Sequence, residues 1–248
     1  MITQLAAIAD VHGNTWALDA VLADIAQRGI GTIVNLGDCV YGSLDPAGTM
    51  ARLMQPAIAT LAGNQDRDVF APSEEVRAAP DHAFVTGALS AEQIAWLASR
   101  PPTLTLGEVF CCHGTPDSDE TYLLERVTAH GVALESSDVI AERLAGVAQP
   151  VVLCAHSHVP RIVGLPGGRL VVNPGSVGIP AYDDDAPFPH VMEAGSPHAR
   201  YAILTRRAAG WQPELIAVPY DWDAAAEVAR RNGRADRARW IATGRAKE

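Results

Sequence analysis

Short apolar runs alternate with amphipathic stretches through the first sixty residues. Residues 5–9 are continuously apolar and lead into Asp10-Val11-His12-Gly13-Asn14, a run whose length and polar boundary predict a buried strand. Residues 14–28 then place Trp16, Leu18, Val21, Leu22 and Ile25 at helical spacing, with Asn14 positioned to cap the helix and Gly29 to end it. A second strand, 32–36, closes on Gly37-Asp38, and a short helix over 47–54 leads to a third strand, 57–61, that closes on Gly63-Asn64-Gln65-Asp66. Strand, helix and strand in this order predict a right-handed parallel unit, which brings Asp10 and Asp38 to one sheet edge.

The pattern then changes. Residues 68–87 are mixed in charge, with Pro72 and Pro80, and predict helical turns or a loop over one face. Ser90 and Gln93 form a capping-box signal for a helix carrying Ile94, Trp96 and Leu97, which Pro101-Pro102 stops. Segments 103–106 and 108–112 predict a hairpin at Gly107 that runs into His113-Gly114; 117–132 is a polar excursion without a clear element. A serine-capped helix over 137–145 precedes a strand, 151–154, that ends in Ala155-His156-Ser157-His158. A second hairpin, 161–165 with 169–172, leads to the loop 173–178. Segments 201–205 and 213–218 predict a closing antiparallel pair, and 221–231 and 236–242 two terminal helices. This describes a single domain over 1–248, with 182–198 a candidate lid insertion and 221–248 a helical tail.

Composition narrows the function classes. The chain has 29 acidic against 19 basic residues, a net charge of -10, which disfavours a nucleic-acid backbone or an anionic membrane as main partner. No apolar run approaches the roughly 20 residues of a membrane span. Residues 1–4 lead directly into the first strand without a basic, cleavable start, so a cytoplasmic location is expected. Cys39, Cys111, Cys112 and Cys154 lie in or beside apolar runs with no Cys-x-x-Cys pair, and read as small buried hydrophobes.

Five strand ends thus carry Asp10 and His12, Asp38, Asn64, His113, and His156 with His158. Seven oxygen and nitrogen donors, each just past an apolar strand, suit a pair of first-row divalent cations better than calcium. The order and spacing of Asp10-Val11-His12, Gly37-Asp38, Gly63-Asn64-Gln65-Asp66, His113-Gly114 and Ala155-His156-Ser157-His158 resemble the motifs of the calcineurin-like metallophosphoesterases over about residues 3–180. Tyr41-Gly42 and the 173–178 loop are similar to the small bacterial phosphodiesterases and diadenosine-polyphosphate-type hydrolases of that superfamily.

The resemblance implies an α/β (in part α+β) fold, a four-layer sandwich of two mixed β-sheets flanked by helices. It implies two metal ions (manganese favoured among Mn, Fe, Zn, Co and Ni), one held by Asp10, His12, Asp38 and His158, the other by Asp38, Asn64, His113 and His156. The implied activity is hydrolysis of phosphodiesters or nucleotide phosphoanhydrides by in-line attack of a water activated between the cations. Asp38, Asn64, Gln65 and Asp66 are the expected catalytic group. Gln65 stands where many relatives have a proton-delivering histidine, which favours good leaving groups. Arg67 is a candidate phosphate contact, and His190 or His198 a candidate substrate contact or proton donor from the lid. The expected partner is a small phosphoester or nucleotide, with a homodimer the candidate assembly. A phosphomonoesterase, a protein phosphatase and a non-catalytic scaffold on the same fold are the alternatives.

Overall fold

The apolar run at residues 5–9 is continuous because both faces of its strand are covered. In the computed structural model, which describes residues 2–247, β1 (Gln4–Ile8) lies at the centre of a sheet. Leu5, Ala7 and Ala9 join Val34, Leu36, Leu61, Val109, Leu153 and Val172 in one buried cluster, whereas Ala6 and Ile8 join Leu18, Val21, Ile25 and Met50 in another. A strand buried on both sides cannot alternate polar with apolar residues.

After β1 come α1 (Thr15–Gln27), β2 (Ile33–Asn35), α2 (Pro46–Leu53) and β3 (Ile58–Thr60), with β1, β2 and β3 paired in parallel. The Asn14 side chain accepts from Ala17 N at 3.1 Å and caps α1. Four short helices follow, α3 (Asn64–Phe70), α4 (Glu74–Ala78), α5 (Pro80–Ala88) and α6 (Ala91–Ala98). The chain then builds β4 (Thr103–Leu106), β5 (Val109–Cys112), the hairpin β6 (Glu125–Thr128) and β7 (Gly131–Leu134), α7 (Ser137–Arg143), β8 (Val151–Leu153), β9 (Arg161–Gly164) and β10 (Leu170–Asn173). It ends with the hairpin β11 (Ala181–Asp184) and β12 (His190–Glu193), the long pair β13 (Ala199–Arg207) and β14 (Gly210–Val218), and helices α8 (Trp222–Arg231) and α9 (Ala235–Thr243).

Two mixed five-stranded sheets result, ordered β14-β13-β1-β2-β3 and β4-β5-β8-β10-β9. The cluster around Leu5 draws on strands of both sheets and fills the space between them. Outside the second sheet, Val152, Cys154 and Val171 pack against Ile140 and Leu144 of α7 and against Leu123 and Leu124. The expected four-layer sandwich is therefore present. All four cysteines are buried and free, in keeping with their reading as small core residues. Among the described residues, no helix is long and apolar enough to cross a membrane.

Two segments are more regular than their sequence suggests. Residues 68–87 are mostly helical, and the polar excursion 117–132 enters the β6–β7 hairpin. Glu125 of that hairpin is buried but ion-paired with Arg161 at 2.8 Å, so its carboxylate is compatible with a covered strand.

Candidate metal centre

β1, β2 and β3 run parallel, as do β5, β8 and β10, so the two sheets deliver their carboxyl ends to one edge of the sandwich. The loops there are bonded to one another. Asp10 N, His12 N and Gly13 N donate to Gly37 O, Asp38 O and Cys39 O, each at 3.0 Å, and Ala155 N donates to His113 O at 2.6 Å. From the loop after β10, Ser176 Oγ donates to Asp10 O at 2.7 Å, and Asn173 Nδ2 donates to Ala155 O and Ser157 Oγ.

Asp10, His12, Asp38, His156 and His158 all have positive φ, between 50° and 69°, and among the described residues no other non-glycine residue does. A left-handed residue just past a strand turns the chain sharply. Aspartate and histidine tolerate that region better than most residues, at a cost of about 1–3 kcal/mol each. Strain confined to these five positions is maintained by the loop–loop bonds around them. Gly63 serves the same closeness by a different route: a Cβ there would lie 2.3 Å from Asp38 Oδ1 and 2.8 Å from His113 Cε1.

The side chains converge in two groups, Asp10 with His12 and His158, and Asp38 with His113 and His156. Both groups are tied by short approaches. Asp10 Oδ1 is 3.5 Å from His158 Nε2 and 4.0 Å from His113 Nε2, and Asp38 Oδ2 is 3.5 Å from His113 Nε2 and 4.0 Å from His12 Nε2. Each carboxylate therefore lies 3.5 Å from a histidine of its own group and 4.0 Å from one of the other, and Asn64 Oδ1 joins at 3.1 Å from His113 Nε2.

The donors are arranged for cations rather than for each other. His12, His113 and His158 each donate Nδ1–H to a backbone carbonyl, of Tyr41, Leu36 and Ile179, which directs all three Nε2 atoms inward. His12 Nε2 and His158 Nε2 lie 3.1 Å apart with no proton to share. His156 donates Nε2–H to Glu120 O, which leaves its Nδ1 for a ligand. Both Asp10 oxygens are buried without a hydrogen-bond partner. A fully buried carboxylate with no donor is costly unless a cation meets it.

Protonation follows the same logic. Burial drives His12 down to about 4, with the Arg237 charge adding to the effect and Asp38 opposing it, and burial drives His156 to about 4 as well. Burial also holds the Asp10 carboxyl well above the usual range. Burial opposes charge on His113 too, but the Asp38 carboxylate beside it prevails and raises that ring to about 10. Burial would likewise raise Asp38, yet the His113 charge holds its carboxyl below the usual range. Burial thus keeps His12 and His156 neutral and able to act as ligands, and the oxygen and imidazole donors of the two groups suit cations.

The remaining sequence candidates are distributed unevenly. Gln65 lines the cavity above the two groups; its backbone N–H donates to Asp38 Oδ1 at 2.9 Å and its buried Oε1 has no partner. Asp66, expected in the catalytic group, is instead fully buried behind it. Its carboxylate accepts from the backbone N–H groups of Asp38 (2.8 Å), Cys39 (2.9 Å) and Gly63 (3.1 Å). Arg67, expected to contact phosphate, instead grips Asp119 and Glu120 at 2.9 and 2.7 Å and does not line the cavity.

His190 is also displaced from its expected place: it donates Nδ1–H to Phe188 O and meets Tyr122 Oη through Nε2 at 3.3 Å, so a phenol separates it from the cavity. His198 packs against Trp222, 5.4 Å between ring centroids. From the candidate lid, Tyr182, Asp183 and Asp184 of the β11–β12 hairpin form part of the cavity wall.

Tyr122, Tyr182, Arg234, Arg237 and Trp240 complete a cavity of about 280 Å³, and sequence reasoning singled out none of them. Tyr122 Oη and Tyr182 Oη are 2.7 Å apart, and Tyr182 donates to His156 O at 3.1 Å. One signal for the tail residues existed in the sequence: six arginines between positions 230 and 245 in an otherwise acidic chain.

The profile of the calcineurin-like phosphoesterase superfamily domain matches residues 4–193. Among solved structures, a metallophosphoesterase from Sphaerobacter thermophilus is 22% identical, with 99% of this chain and 100% of that chain covered and a TM-score of 0.76. A hypothetical protein from Pyrococcus horikoshii OT3 is 16% identical over 99% and 100% of the two chains, with a TM-score of 0.72. Among curated protein sequences, none matches this chain. With the matched profile spanning all five motifs and most of the chain, this protein belongs to the calcineurin-like phosphoesterase superfamily.

Proposed function

We propose that this protein is a dinuclear-metal-dependent hydrolase of phosphodiesters or nucleotide phosphoanhydrides. The observation that carries this reading is the pair of adjoining donor groups, one around Asp10 and one around Asp38, with the orphaned Asp10 carboxylate and the opposed His12 and His158 imidazoles beside one cavity. Asp10, His12, Asp38 and His158 would hold one ion, and Asp38, Asn64, His113 and His156 the other. When bound, the pair supplies Lewis acidity toward phosphoryl oxygens and a nucleophilic water at neutral pH.

The protein's own groups argue for the leaving-group class. The Gln65 amide donates a hydrogen bond to a phosphoryl oxygen but no proton. Burial pushes the Tyr122 phenol up to about 12 and Tyr182 well above its ordinary value, so neither releases a proton readily near pH 7. His190 is screened by Tyr122. With an amide at position 65 and both phenols held protonated, substrates whose leaving group departs unprotonated are favoured: aryl or nucleotidyl esters and phosphoanhydrides.

The test compares bis-p-nitrophenyl phosphate with p-nitrophenyl phosphate, with manganese and with chelator. The expected result is metal-dependent cleavage of the diester in preference to the monoester; since both probes expel p-nitrophenolate, the leaving-group argument is read from diethyl phosphate, whose alkoxide needs general-acid help typically worth about 10²–10⁴-fold and which should not turn over. A strong preference for the monoester contradicts the substrate class.

A further inference from the structure

The far wall of the cavity is built by the C-terminal helix. Arg237 and Trp240 are three residues apart on α9, hence on one helix face, and both line the cavity that contains His12, Asp38 and Asn64. Arg237 is buried, with a 9% exposed side chain, and is only partly paired. Nη2 donates to Asp81 Oδ2 at 2.9 Å, while Nε and Nη1 have no hydrogen-bond partner. Trp240 Nε1, also buried, has none. Asp81 is shared with Arg234, which itself bonds Asp236, so two carboxylates face two guanidinium groups and the Arg237 donors are left over.

The placement of this charge is held by packing. Asn232 Nδ2 donates to Ser43 O at 2.8 Å; Ala225, Ala229, Ala238 and Ile241 pack against Leu44, and Trp240 against Ile179 and Ala181 of the hairpin side. Unpaired buried N–H groups are costly in a native structure, and beside a cavity they are open to an acceptor that enters it. The cavity therefore has two poles, a floor of candidate metal ligands and a wall with spare guanidinium N–H groups and an indole N–H.

Building on the phosphoesterase reading, we propose that Arg237 and Trp240 form a subsite for a second phosphoryl group, so that the preferred substrate carries another phosphate beyond the one that is cleaved. A guanidinium and an indole N–H, both donors only, select an anionic acceptor and reject a cation or a second donor. Arg234 beside them is engaged by Asp81 and Asp236, which leaves the spare donors to Arg237 and Trp240.

The test is calorimetric binding of propane-1,3-diyl bisphosphate and of propyl phosphate to the full chain, loaded with manganese and dialysed. In the unaltered protein the bisphosphate should bind at least about tenfold more tightly, and Arg237→Gln should reduce the ratio to about two or less. Arg237→Lys, which keeps charge but loses the fork, and Trp240→Phe, which loses only the N–H, should each reduce it severalfold. These two variants decide the question if thermal melting shows Arg237→Gln to be unfolded.

Chelator-treated protein is titrated with propyl phosphate in parallel, and there Arg237→Gln should weaken binding about tenfold. That arm needs no metal, so the subsite can be judged even if the chain hydrolyses no phosphoester. Equal affinity for the two probes in the loaded unaltered protein, or an undiminished ratio in the folded variants, overturns the proposal. An unchanged propyl phosphate affinity in the metal-free arm does the same.

Discussion

Replacement of Asp38 by alanine is expected to lower metal-dependent phosphodiester hydrolysis by at least about 10³-fold, because a shared ligand contributes to both ions and their Lewis acidity is worth several powers of ten in rate. Asp38 Oδ2 stands 3.5 Å from His113 Nε2 and 4.0 Å from His12 Nε2, one from each donor group, so its loss opens both. It also removes the negative charge that holds His113 near 10, and leaves Asp10 as the one carboxylate among the ligands. The loss should appear as reduced manganese content in a chain that still melts cooperatively. A folded variant that keeps both its metal and activity within about tenfold of the original would place the chemistry elsewhere.

Asp66→Ala is expected to have the largest effect on stability. Three backbone N–H groups, those of Asp38, Cys39 and Gly63, end on one buried carboxylate, and its removal leaves all three without an acceptor. At about 1–3 kcal/mol for an unsatisfied buried donor, with partial relaxation, the loss is about 3–4 kcal/mol. In a chain of this size that lowers Tm by about 10 °C. Metal affinity should fall with it, since the same bonds hold the left-handed turn at Asp38. A shift under about 2 °C in thermal melting would show that the carboxylate is dispensable to the loop.

Asp66 also marks where sequence reading of the site stops. Its position in the Gly63-Asn64-Gln65-Asp66 motif identifies it as important but not how, because a carboxylate at a strand end can face a metal or turn back to cap a helix. Here α3 begins directly after Gly63, and the Asp66 carboxylate turns back to accept from the Gly63 N–H at its start. Arg67 is legible as a cation beside the site; which anions it meets depends on the 117–121 loop, whose course has no local signature. His190 is legible as a histidine in an acidic, proline-rich segment, but Tyr122, from a different stretch of chain, comes between it and the cavity.

The ligand set is more legible because each donor directly follows an apolar strand, and parallel pairing carries strand ends to one edge. The two sheets, the strand–helix–strand start and the terminal helices follow from the same periodicities. The β6–β7 hairpin is hidden by Glu125 and Arg126, whose charges suppress the strand pattern. Arg237 and Trp240 are hidden for a different reason: α9 reads as an ordinary terminal helix until tertiary packing brings it against the cavity beside ligands that lie between Asp10 and His158.

If the donor groups around Asp10 and Asp38 hold a pair of catalytic ions, metal content and activity must rise together. The most direct measurement is the manganese content of the chain after chelation, reloading and removal of free metal, taken on samples whose bis-p-nitrophenyl phosphate hydrolysis is followed in parallel. The account predicts about two equivalents per chain, with activity rising as they bind and absent before. A folded chain that retains no manganese, or one whose hydrolysis is unaffected by chelation, would contradict it and favour a scaffold role for the fold.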